Sequence, residues 1–144
     1  MDKNLPLRNL EKVTEDTSKA SSEILRIIDL KGKVTKPGPL PAPCSGYSTK
    51  AYKTSHPWSV YDVPVTQMRE AMDRLRRGLP NNGWKIVKDG TDRSPSKSPE
   101  IVANSKGDEF SVKVRLLAEP AGSPHTSLIE VTVESACFKT KDSD

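Results

Sequence analysis

The sequence predicts a single α+β domain: an antiparallel sheet of four to five strands, covered on one face by helices and closed by one disulfide. Three observations carry this. Apolar residues recur at spacings of three and four in two stretches, 7–29 and 64–79. Between Glu100 and Phe138 the pattern changes to alternation of apolar and polar residues, broken by short polar turns. The two cysteines, Cys44 and Cys137, bracket the sheet-forming part.

Residues 1–31 read as an N-terminal helix or stalk. Leu10, Val13, Thr17, Ala20, Ile24 and Ile27 make one narrow stripe. Pro6 suits the helix start, where a missing N–H costs nothing, and Gly32 suits its end. Residues 32–46, "GKVTKPGPLPAPCSG", hold four prolines and three glycines and predict an extended proline-rich linker. The α+β domain then occupies 47–138, and 139–144 form a polar tail.

Within that domain Tyr47, Thr49, Ala51, Trp58, Val60 and Tyr61 suit strand structure. His56-Pro57 is expected to bend or interrupt it. The second helix, 64–79, presents Met68, Ala71, Met72, Leu75 and Leu79 on one face. Pro64 fits its first turn, and Pro80 with "NNG" ends it. Trp84 opens a strand. "EIVANSKGDEFSVKVRLL" has the form of a hairpin, and "TSLIEVTVESACF" adds a strand with Ile129, Val131 and Val133 inward. Consecutive strands with short turns predict an antiparallel meander, and the two helices are available to cover its packed face.

The composition bounds the function. A chain of 144 residues is one domain plus a linker or tail. With 33% hydrophobic residues, 5% aromatic and 12 prolines, its core is modest. The net charge of +4 is dispersed along the chain. No zinc-type cysteine spacing, aromatic RNA-binding pattern or glycine-rich phosphate loop accompanies it, so nucleic acid is not the expected partner. A solvated surface accounts for the charge; attraction to an anionic polymer or membrane surface is the sharper alternative. No run of 18 apolar residues occurs.

An oxidised Cys44–Cys137 pair would close a loop of about 94 residues and stabilise the fold by roughly 4–5 kcal/mol through loop entropy. It would also pin the proline-rich segment to the sheet. The competing reading is two separate thiols in a reducing compartment. Free cysteines usually sit in apolar segments, and Cys44, between Pro43 and Ser45, does not. A disulfide implies an oxidising compartment. Two cysteines with His56 or His125 do not make a four-ligand metal set.

A polar helical lead-in, a cysteine before the first strand, a helix followed by glycine-tryptophan in "VTQMREAMDRLRRGLPNNGWKIVKDG" and a closing "VESACF" resemble the small exported lipoproteins of actinobacteria. The resemblance covers about Cys44 to Phe138. It implies an extracellular chain, lipid-anchored in its precursor, with the helix and proline segment as spacer. The lipid-bearing cysteine itself is absent from this sequence. Most such proteins have no assigned biochemical role, so the resemblance brings no catalytic residues.

No catalytic or metal-binding residue and no cofactor is expected. His56 and His125 adjoin prolines in expected loops, and Asp89, Asp92, Asp108 and Glu109 read as turn residues. Met68 and Met72 share the apolar helix face, which makes them core. The candidate binding residues are the strand aromatics Tyr52, Trp58 and Tyr61, which suit interfaces, and the arginines Arg69, Arg74, Arg76 and Arg77 of the second helix. Their expected partner is an anionic cell-envelope polymer or another surface protein. A non-catalytic binding or interaction module is the leading function. An enzyme with an unrecognised site and a cytosolic nucleic-acid binder using the arginine-rich helix are the alternatives.

Overall fold

A computed structural model of the chain describes residues 5–35, 37–47 and 50–140. Thr49, expected in a strand, and residues 141–144 of the expected tail lie outside these. Two helices, α1 (Leu10–Ile28) and α2 (Val65–Asn81), pack against a sheet of β1 (Leu7–Arg8), β2 (Lys33–Val34), β3 (Leu40–Pro43), β4 (Ala51–Tyr61), β5 (Trp84–Thr91), β6 (Pro99–Ser105), β7 (Phe110–Leu117), β8 (Leu128–Ser135) and β9 (Phe138–Thr140).

The expected antiparallel sheet of four to five strands is therefore corrected. Among the described residues the sheet is nine-stranded and mixed, in the order β1-β9-β4-β8-β7-β6-β5, with β2 and β3 also paired to β4. β1 and β9 form a parallel pair, Leu7 opposite Lys139 and Arg8 opposite Thr140. The additional strands are two to four residues long. Segments that short carry no readable alternation, and they become strands because neighbouring strands offer them free backbone edges. The α+β class and the meander β6-β7-β8 hold as expected.

Strand β4 organises the sheet. On one edge it pairs with β8 from Ser55 to Tyr61 and with β9 at Ala51 and Tyr52. Three steps along β4, from Ser55 to Tyr52, oppose four along its partner, from Glu134 to Phe138. β8 and β9 are thus one track with a bulge at Ala136-Cys137. On the other edge β3 pairs with Tyr52–Ser55 and β2 with Val60–Tyr61. The segment 32–46, expected as linker, supplies both. His56-Pro57 does not interrupt β4. Pro57 lies in the gap between the β2 and β3 pairings, where a missing N–H removes no ladder bond on that edge. Pro41 and Pro43 are tolerated in β3 because it is an edge strand.

Both helices lie on one face of the sheet. Ile24 and Ile28 of α1 and Met68, Met72, Leu75 and Leu79 of α2 join Val112, Val114, Ile129, Val131 and Ile101 in one buried cluster. The α2 face is the one its sequence predicts. The α1 face is rotated from the expected stripe: Val13, Thr17, Ser21, Ile24 and Ile28 are buried, while Ala20 and Ile27 are only half-buried. The helix starts at Leu10 because the Asn9 side chain caps it, accepting from the Lys12 backbone N–H at 3.0 Å. It ends at Asp29, which takes a left-handed conformation with φ +51° and ψ +48°. Gly32 has a different role from a helix stop: a Cβ there would collide with the Tyr61 carbonyl oxygen, so β2 reaches β4 only with glycine at this position.

Cys44 and Cys137 form a disulfide with Cα atoms 6.2 Å apart. Cys44 follows β3 and Cys137 sits in the β8–β9 bulge. The bond therefore joins the two tracks that flank the start of β4, where Pro43, Tyr52 and Phe138 lie side by side.

Two outcomes follow for stability. Replacing both cysteines by serine opens a loop of sequence separation 93. Urea unfolding is expected to show a loss of roughly 2–5 kcal/mol; a change under 1 kcal/mol would mean the unfolded chain is already restrained without the bond. Gly32→Ala is expected to cost roughly 1–3 kcal/mol in the same assay, and an unchanged midpoint would contradict the close approach of β2 to β4.

Candidate functional site

A groove of about 500 Å3 runs between α1 and the segment that links β2 to β3. Its α1 wall holds Ser18, Ser21, Ser22 and Leu25, which share a flank through spacings of three, four and seven. Its floor holds His56 and Trp58, two residues apart on β4 and so on the same face. Val34, Thr35, Pro37 and Gly38 form the opposite wall.

Hydrogen bonds tie the three walls together. The Trp58 indole Nε1–H donates to Ser21 Oγ at 3.1 Å, and Ser21 Oγ lies 2.6 Å from His56 Nδ1. His56 Nε2 lies 2.7 Å from the Pro37 carbonyl oxygen. A carbonyl only accepts, so Nε2 carries a proton; in the neutral ring Nδ1 then accepts from the Ser21 hydroxyl. The linking segment is held further by Thr35, whose N–H donates to the Ser59 carbonyl at 3.0 Å and whose Oγ1 accepts from the Ser59 N–H at 2.8 Å. One turn N-terminal to Ser21, the Thr17 and Thr54 hydroxyls bond each other beneath the helix, and Thr17 also donates to the Val13 carbonyl at 2.7 Å.

A serine hydroxyl donating to an imidazole whose other nitrogen is anchored is the pairing used to activate a nucleophile. Here Ser21 is only 4% exposed and its oxygen already accepts the Trp58 N–H. The same bonds hold three elements in fixed relation, which is what a binding groove with rigid walls requires. Among the described residues no cluster of three or more His, Cys, Asp or Glu side chains could hold a metal ion.

Of the residues expected to bind, only Trp58 lines this groove, and it is 5% exposed. Tyr52 is half-buried between Pro43 and Phe138 in the sheet, and Tyr61 is half-buried at the other end of β4 opposite Lys33 and Leu128. The arginines do not form one patch. Arg74 caps the end of α1: its Nε and Nη2 donate to the Ile28 carbonyl at 3.0 and 2.7 Å. Arg76 is paired with Asp89 at 3.0 Å and with Asp73 at 2.6 Å. Arg69 and Arg77 remain exposed on α2. Arg69 and Arg76 line a smaller hollow with Met72, Asp73, Pro99 and Leu116.

His56 and Ser21 were not expected here. The proline beside His56 indicates a loop when taken locally, and Ser21 falls outside the apolar stripe. The available signal is that α1 carries hydroxyl residues, Thr17 and Ser21, at the four-residue spacing of its buried face.

An electrostatic cluster lies away from the groove. Arg115 on β7 reaches Asp92 Oδ2 at 3.1 Å and bonds Glu130 through Nε at 2.9 Å and through Nη2. Asp92 Oδ1 accepts from the Ser94 hydroxyl at 2.5 Å and from the backbone N–H groups of Ser94 and Ser98, both at 3.0 Å. The Ser94 hydroxyl, the two backbone donors and Arg115 together hold the Asp92 carboxyl down to about 2. This aspartate organises the β5–β6 loop, as an Asx turn residue does.

No protein-family model, curated protein or solved structure matches this chain.

Because the Asp92 carboxyl has a depressed value in the folded chain, its contribution is complete above its unfolded value of 3.8 and is lost as pH falls through about 2. Urea midpoints measured from pH 5 to pH 2 should therefore fall more steeply for the parent chain than for Asp92→Asn. Parallel pH profiles would remove Asp92 as a contributor to acid stability.

Proposed function

We propose that this chain is a non-catalytic binding or interaction module that works outside the reducing cytoplasm, as the folded part of a lipid-anchored surface protein. The observation that carries the reading is the Cys44–Cys137 disulfide. Disulfides of this kind persist in oxidising compartments, and the bond ties down a sheet whose short outer strands would otherwise fray. The resemblance to exported actinobacterial lipoproteins points the same way. Among the described residues no helix is long and apolar enough to cross a membrane; the lipid anchor is what that resemblance implies.

The rigid groove and the burial of the Ser21 hydroxyl support binding over catalysis. The partner in the envelope is an anionic polymer or another surface protein, met by Arg69 and Arg77, the two arginines of α2 that remain exposed. The use of Arg74 as a helix cap and of Arg76 in ion pairs weighs against a nucleic-acid stripe, which needs its cations free.

Two measurements test this. In the source cells the chain should fractionate with the envelope, need detergent for release, and show no alkylatable thiol until reduced. Folded chain with two free thiols in the soluble cytosol would overturn the proposal. The oxidised chain should co-sediment saturably with purified cell envelopes at low salt, several-fold less for the Arg69→Ala/Arg77→Ala variant; absence of any saturable retention would refute the module.

A further inference from the structure

We propose that Asn82-Gly83 is a site of spontaneous covalent modification: in the folded chain Asn82 converts to aspartate and isoaspartate, and the change loosens the joint between α2 and β5. This stands whether or not the chain binds an envelope partner.

The sequence supplies the reactive pair. Of the described asparagines, Asn9, Asn81, Asn82 and Asn104, only Asn82 precedes a glycine. The residues after the others carry side chains that hinder their own backbone nitrogens. Hydroxide removes the Gly83 amide proton, and the nitrogen attacks Asn82 Cγ. The N–Cγ bond forms, the Cγ–Nδ2 bond breaks, and ammonia leaves with a proton from water, which restores the hydroxide. Water then opens the cyclic imide at one of its two carbonyls, giving aspartate or isoaspartate. The net change consumes one water and releases one ammonia; nothing is oxidised or reduced.

The structure leaves this pair open to reaction. Asn82 is exposed. Gly83 takes φ +87°, and the place where a Cβ would stand has no atom within 4 Å. Among the described residues the Gly83 N–H has no backbone acceptor. What restrains Asn82 is its own side chain, whose Nδ2 donates to the Gly78 carbonyl at 2.7 Å. That bond has to open before Cγ meets the Gly83 nitrogen, and the last turn of α2 is weakly held. Pro80 lies inside the helix and has no N–H, so the bond to the Arg76 carbonyl is missing. The Asn82 N–H reaches back only three residues, to the Leu79 carbonyl at 3.0 Å. A helix end held in this way opens locally at small cost while the rest of the fold stays closed.

The product is ill suited to its place. A carboxylate at residue 82 cannot donate to Gly78, and its charge meets the negative end of the helix dipole. The last turn of α2 has no basic residue to offset it. Isoaspartate also lengthens the main chain by one carbon just before Trp84, which is 5% exposed and donates to Glu23 of α1 at 2.8 Å. The extra atom therefore pushes on a buried side chain that ties β5 to α1.

The test follows the oxidised full chain at pH 8.5, in native buffer and in unfolding guanidinium chloride. Tryptic peptide 78–85 is separated from its aspartyl and isoaspartyl forms, and fragmentation locates the change. In native buffer, conversion at Asn82 is expected within about tenfold of the unfolded rate, with the peptides holding Asn9 and Asn104 unchanged. Peptide 78–85 intact in native buffer while it converts in denaturant would overturn the proposal. Pro80→Ala restores the missing helix donor and should slow conversion several-fold in native buffer but not in denaturant; no slowing, or equal slowing in both, refutes the opened last turn as the route. Asn82→Asp reproduces one product and should lower the folding equilibrium constant about tenfold in urea unfolding. An unchanged midpoint would contradict the loosened joint.

Discussion

The structure depends on one strand having two occupied edges. β4 is eleven residues long, and it pairs with β8 and β9 on one side and with β2 and β3 on the other. Each of the four short strands is held through it, directly or by way of β9. The proline-rich segment becomes β2 and β3 on its outer edge. The end of the chain becomes β9 on its inner edge, and β9 in turn receives β1. A polar chain with few aromatic residues gains backbone hydrogen bonds in this way that its small core could not compensate for losing.

The disulfide belongs to the same constraint. It fastens the track before β4 to the track after it, at the point where both are shortest. A two-residue or four-residue strand holds its register weakly; a covalent bond beside Pro43 and Phe138 sets it. The bulge at Ala136-Cys137 turns the cysteine out of the regular alternation of β8 and so lets it reach Cys44. Bulge, bond and pairing meet at one place in the sheet.

Between α1 and β4 the contact is unusually polar. Thr17 with Thr54, and Ser21 with His56 and Trp58, occupy positions where leucine or isoleucine would be expected. Each buried polar atom has its partner, with none unsatisfied among the described residues. Such a network orients more strictly than apolar packing, because a shifted helix would leave several groups unpaired in a low-dielectric interior. That strictness holds the groove walls at fixed spacing. On the opposite face of the sheet, pairs such as Lys53–Glu134 at 3.2 Å and Arg115–Glu130 cover the strands with charge that faces solvent.

Legibility followed periodicity. The core of α2 and the β6-β7-β8 meander were readable because Met68, Met72 and Leu75, or Val112, Val114 and Leu116, repeat over enough residues to define a face. The cysteine pair was readable because Cys44 lies between Pro43 and Ser45, outside any apolar segment where free cysteines usually sit. The seven candidate binding residues were chosen by residue type, and their surroundings separated them: Trp58 went to the groove, Arg74 to a helix cap, Arg76 to ion pairs. By itself, then, the sequence determined the class of fold, its two helices, its meander and its bond. Only the tertiary structure decided the four short strands, the rotated face of α1 and the meeting of Ser21, His56 and Pro37. Those features arise from backbone edges and side-chain partners that the fold brings together, such as Leu7 with Lys139 and Ser21 with His56, and a local pattern holds no record of such partners.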